Sequence, residues 1–117
     1  MTDSLLDELA RHLAIPAKSG IYITKNELMS LARASEASLR VNERPRMLAD
    51  VLKSAQSPEE LSRILDRVIG LCRLQVSHLT ELTTLAPTAA PCFEPWQQRV
   101  RKTIERLEAI KEELAPR

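Results

Sequence analysis

The side chains able to do chemistry are few in this sequence, and their spacing scatters them. There are two histidines, His12 and His78, two cysteines, Cys72 and Cys92, and only two glycines, Gly20 and Gly70. A metal ion needs ligands one helical turn apart or in a CxxC pair. His78 instead has Leu74 and Leu82 at its i−4 and i+4 positions, so no metal ligands are expected. Acyl transfer would need a Ser or Cys held against a His that a carboxylate orients, and no such order stands here with supporting context. Two isolated glycines cannot build a loop that cradles phosphate. The expectation is therefore a protein with no catalytic residues, no metal and no cofactor.

Each of these residues has a plainer structural role. Cys72 falls within a helical apolar stripe, where a thiol behaves as a small hydrophobe. Cys92 lies in a proline-rich stretch and is expected to be exposed, with no cation placed to lower its pKa. His12 is expected at a partly exposed surface, and His78 in a core or helix interface. The remaining candidate is a basic patch, Arg33, Arg40, Arg44 and Arg46, around the junction of two expected helices at 25–39 and 43–55. Two helices joined by a short turn with arginines beside it resemble the arrangement of a helix-turn-helix DNA reader. Against that, Arg40–Arg46 has no glycine for a tight turn, and Glu36, Glu43 and Asp50 dilute the charge. Over the whole chain, 17 basic and 16 acidic residues leave a formal charge of +1, which gives no general attraction to nucleic acid.

Whatever positions these residues must be helical. Ala, Glu, Lys, Leu and Arg make up about half of the 117 residues, and only Tyr22, Phe93 and Trp96 are aromatic. The stretch at 57–86 reads as one continuous helix. Ser57 can accept from the Glu60 N–H, Glu60 can reach back to the Ser57 N–H, and Pro58 suits the first helical position. Apolar residues then recur at Leu61, Leu65, Val68, Cys72, Leu79 and Leu82, with a second line at Ile64, Leu71, His78 and Leu85. Two adjacent lines predict a helix with neighbours on two sides. At ~1.5 Å per residue it spans about 45 Å, which makes it the spine of a bundle.

The flanking segments follow the same rules. Residues 3–14 are amphipathic, with Leu5, Leu6, Leu9, Ala10 and Leu13 on one face, and Ile15-Pro16 ends that helix. Residues 17–20 read as a linker and Ile21-Tyr22-Ile23 as a brief extended segment. Thr24-Lys25-Asn26-Glu27 is a capping box opening the 25–39 helix, and Asn42 is the expected cap of the next. Pro87, Pro91 and Pro95 predict a semi-rigid connector at 87–95. A last helix at 95–114 carries a narrow seam, Trp96, Val100, Ile104, Leu107, Ile110 and Leu114. Its basic N-terminal end and acidic C-terminal end oppose the helix dipole, so it needs a surface to lie on.

The resulting expectation is an all-α single helical domain over 1–117: a bundle around the 57–86 helix with an antiparallel, amphipathic C-terminal helix. The expected function is a non-enzymatic protein–protein interaction module, of the adaptor, anti-activator or chaperone type. Its partners would be a second copy, as a homodimer, and another protein, bound through the 96–114 seam, the other reading of that seam being docking on the 57–86 helix of its own chain. The alternative is a nucleic-acid-binding regulator using the 25–55 helix pair. No apolar run reaches the ~18 residues of a membrane span, and Met1-Thr2-Asp3-Ser4 is not the start of a secretory signal. A cytoplasmic protein without membrane contact is expected.

Overall fold

The computed structural model describes residues 3–35 and 37–115. Its helices are α1 (Asp3–Ala14), α2 (Pro16–Ser19), α3 (Lys25–Ala34), α4 (Arg44–Lys53), α5 (Pro58–Leu85) and α6 (Ala90–Leu114). The fold is all-α, with no strand among the described residues, and α5 and α6 pack antiparallel. The 28 residues of α5 would span ~42 Å and set the long axis of a body measuring 47 × 36 × 22 Å.

Helix starts follow the sequence closely. At α3 both arms of the capping box form: Glu27 N donates to Thr24 Oγ1 at 3.1 Å, and Thr24 N donates to Glu27 Oε1 at 2.9 Å. At α5 the Glu60 N–H donates to Ser57 Oγ at 3.1 Å. The return arm differs from expectation, because Glu60 Oε2 accepts from the Gln56 N–H at 2.6 Å rather than from Ser57. Glu43, not Asn42, is the N-cap of α4 and makes no side-chain cap bond; Asn42 Oδ1 instead accepts from the Glu43 N–H at 2.8 Å.

Helix ends depart further. The segment expected at 25–39 stops as a helix at Ala34, where the Ser35 hydroxyl donates to the Leu31 carbonyl at 3.0 Å. Ser35 and Ser38 favour local hydrogen bonds over helix continuation, and Leu39 packs on the core from outside any helix. Glu36 lies outside the described residues. The expected linker at 17–20 is instead the end of a one-turn helix that begins at Pro16, closed by Gly20 in the left-handed region at φ 79° with its N–H on the Pro16 carbonyl at 2.8 Å. After it, Ile21 and Ile23 are buried and Tyr22 is exposed, the alternation of an extended segment.

The largest correction concerns the connector. Residues 87–95 are not an extended linker: Pro87–Ala89 form a single 3-10 turn and α6 starts at Ala90, with Pro91 in its first turn and Pro95 inside it. Proline at the first turn of a helix gives up a donor that has no partner there. Pro95 removes one further bond, in an exposed turn. This tight reversal sends α6 straight back along α5. A single buried cluster then joins α1 (Leu9, Leu13), α3 (Leu28), α4 (Met47, Leu52), α5 (Leu65, Val68) and α6 (Val100, Leu107).

The two glycines predict opposite substitution effects. A Cβ on Gly20 would meet Val100 Cγ2 at 2.7 Å and Val100 N at 2.8 Å, while one on Gly70 meets nothing within 4 Å. Gly20→Ala should destabilise by ~1–3 kcal/mol through strain and overpacking, lowering the thermal midpoint. Gly70→Ala, in an exposed helix interior, should stabilise by ~0.5–1 kcal/mol and raise the midpoint. Thermal denaturation of both variants checks the pair of signs.

Candidate functional site

The seam expected to serve a partner is used within the chain. Val100 and Leu107 are 0 % exposed, and Trp96, Ile104, Ile110 and Leu114 are partly buried against the same core. Charged contacts hold the same pairing: Lys111 to Asp66, and Arg73 Nη2 to Glu108 Oε1 at 2.8 Å. Both are exposed, so each fixes register more than it adds stability. Arg73 thus answers an acid of the C-terminal half of α6, and Arg106 of α6 pairs with Glu8 of α1 at 3.9 Å.

The four arginines of the expected basic patch stand in different surroundings. Arg44 is a structural tie: Nε donates to the Ile23 carbonyl and Nη2 to the Ala14 carbonyl, both at 2.9 Å, and its guanidinium lies 3.8 Å over the Tyr22 ring. It thereby caps the C-terminal carbonyl of α1, which otherwise has no helical donor. Arg46 pairs with Asp50 at 3.6 Å. Arg33 and Arg40 are exposed, the one at the end of α3 and the other in the loop before α4. That loop and the break at Ala34 replace the short turn that a helix-turn-helix needs.

Chemistry-bearing groups meet where α1 and α2 touch α6. His12 Nε2 lies 3.4 Å from Thr103 Oγ1, which donates to the Ser19 carbonyl at 2.9 Å and to the Arg99 carbonyl at 3.0 Å. The Ser19 hydroxyl, itself buried, shares its hydrogen with the carbonyls of Ile15 and Ile21 and accepts from the Ile21 N–H. A Thr so engaged and only 2 % exposed is no nucleophile. The cluster is a polar staple, satisfying each buried group while it fastens α6 to α2. Cys72 is buried as expected, its thiol pushed up to about 11 by desolvation, and Cys92 is exposed.

The surface that sequence reasoning placed inside is the face of α5 opposite α6. Along the second apolar line Ile64 is 1 % exposed, Leu71 is partly buried, and His78 and Leu85 lie in the open, Leu85 at 81 %. Leu74 and Leu82 beside them are 53 % and 44 % exposed. At 100° per residue, Leu74, His78, Leu82 and Leu85 fall within an arc of about 80°. The cause is length: the short helices beside α5 cover Ile64 but end before Leu74. The expectation of a buried His78 and Leu82 is therefore corrected, because α5 has neighbours on two sides only over its first half. The sequence does contain the signal, since α3 and α4 together are shorter than α5.

His12 generates the testable point here. Burial, then the charges of Arg106 and Lys18, hold its pKa below the ordinary 6.5. The folded state binds fewer protons than the unfolded state across that interval, so stability rises with pH there. The stabilisation is complete above about 6.5 and falls as pH drops through the lowered folded value. The thermal midpoint should decrease from pH 7.5 to pH 5, and His12→Gln should flatten that part of the profile. An identical profile in both proteins would remove His12 as its cause.

No protein-family model, curated protein or solved structure matches this chain.

Proposed function

We propose that the protein is a non-enzymatic protein–protein interaction module that binds through the uncovered face of α5. The observation that carries this reading is an apolar line that outruns its cover, from Ile64 at 1 % exposure to Leu85 at 81 %. Single exposed leucines are ordinary on a protein surface. His78, Leu82 and Leu85 stand at i, i+4 and i+7 on one helix face, the spacing at which a partner groove reads an amphipathic helix. Leu74, Leu82 and Leu85, 44–81 % exposed, would together contribute roughly 3–5 kcal/mol if covered. That suits a reversible contact, since association itself costs several kcal/mol.

The face favours a protein over a lipid surface because it carries both signs of charge, Arg67 and Glu81, beside the leucines. Among the described residues no helix is long and apolar enough to cross a membrane. The seam on α6 has a different role in this reading: buried in cis, it holds α5 rigid and straight. A rigid helix face loses little entropy on docking.

The test is a comparison of wild type with a Leu74→Glu/Leu82→Glu variant. Both sites are exposed, so each change should alter stability by no more than about 0.5 kcal/mol. Wild-type protein immobilised in cell extract should retain specific proteins that the variant loses, with helicity and thermal midpoint unchanged. If the two retain the same proteins, the face is not an interaction surface.

A further inference from the structure

We infer that one occupant of the α5 face is a second copy of this chain, lying antiparallel across it with the two-fold axis at Leu74. This rests on the interaction reading above and names its partner. Charge and register select this pairing. At the start of the face Arg63 and Arg67 are exposed beside the half-buried Glu60, and at its far end Glu81 is exposed. None of Arg63, Arg67 and Glu81 makes an ion pair with another described residue. Arg67 stands seven residues before Leu74 and Glu81 seven after it. A two-fold through Leu74 therefore sets Arg67 of each copy beside Glu81 of the other, twice over, with Leu74 against Leu74. Parallel pairing would put Arg67 against Arg67 and Glu81 against Glu81, so the charges select the antiparallel arrangement.

Shape supports the same register. His78 of one copy falls over Gly70 of the other, an exposed position where nothing stands within 4 Å of a Cβ. Leu82 and Leu85 of one copy fall toward Asp66 and Arg63 of the other. There an open groove of about 530 Å³ runs between the ends of α3 and α4 and the start of α5, with Ala34, Ala55 and Ile64 as its apolar lining and Glu60, Asp66, Arg63 and Arg67 around them. Exposed leucines thus meet an unfilled groove on the same self-complementary patch, as an isologous contact requires. A strip one helix wide and ~34 Å long covers about 350–400 Å² per copy. The groove adds to this, yet the total stays below the ~800 Å² per partner of a standard interface. The dimer is accordingly a weak one, in exchange with monomer.

Sedimentation equilibrium over a wide concentration range tests this with exposed charges that leave the fold intact. Wild type should rise from 13.2 kDa toward twice that mass. Arg67→Glu alone and Glu81→Arg alone should each move the rise at least ~10-fold higher in concentration, since each creates two like-charge contacts per dimer. The double swap, Arg67→Glu/Glu81→Arg, should bring it back. Wild type that stays at the monomer mass throughout overturns the proposal. So does a dimer indifferent to the single reversals, which would be built in another register. Neither outcome touches the broader reading of the face, which fails only if Leu74→Glu/Leu82→Glu retains every captured protein.

Discussion

Val100, Thr103 and Leu107 sit sealed between α5 on one side and the α1–α2 corner on the other, and the rest of the molecule hangs on that contact. The backbone of Gly20 lies directly against Val100, and Thr103 gives its hydroxyl hydrogen to carbonyls on both sides of the junction. Without the contact, α6 has a charge order opposed to its own dipole and a seam too narrow to hold it in water. The α1–α4 layer would also lose its attachment to the distal half of the chain. Burial against two elements at once is what makes so narrow a seam sufficient. A side chain at 0 % exposure carries the full transfer and packing terms of a core residue.

The same contact explains why the opposite face of α5 stays open. In a chain of 117 residues, α6 lies along α5 on one side, and only α1–α4 remain to cover the other. Those helices gather around Leu28, Met47, Leu52 and Ile64 and are too short to follow α5 to its end. The distal turns of α5, from Leu74 to Leu85, are held in place by α6 and yet have nothing over their outer side. Leu74, Leu82 and Leu85 are therefore left exposed along one line of the helix.

Helix starts were legible in the sequence because they are local. Thr24 with Glu27, and Ser57 and Pro58 with Glu60, act within one turn, whereas the starts at Pro16 and Ala90 and the cap at Glu43 were not read. The α6 seam was legible too, since a spacing of three and four residues is helical in any context. The helix ends and the partner of each face were not. Ser35 could continue α3 or end it, and the decision lies in whether Leu39 reaches the core from a loop. Pro87, Pro91 and Pro95 suggest an extended connector when read by composition. Packing of Phe93 and Trp96 against the core makes helix the better state from Ala90 onward. His78 and Leu82 share the periodicity of buried residues, and only the lengths of other helices reveal that they lie outside. Arg44 reads as part of a charged patch, although its work is done by carbonyls of Ala14 and Ile23 that sequence does not bring near.

The central claim is that α6 folds back on the α5 of its own chain. Lys111 and Asp66 touch across that pairing, and a zero-length carbodiimide cross-link can join them without any substitution. Light and nitrogen-15-labelled chains would be unfolded together, refolded as a mixture, cross-linked and digested. Folding in cis predicts Asp66–Lys111 peptide pairs that are wholly light or wholly heavy. Mixed light–heavy pairs at the statistical share would show α6 lying on another chain's α5, and would contradict the account at its root.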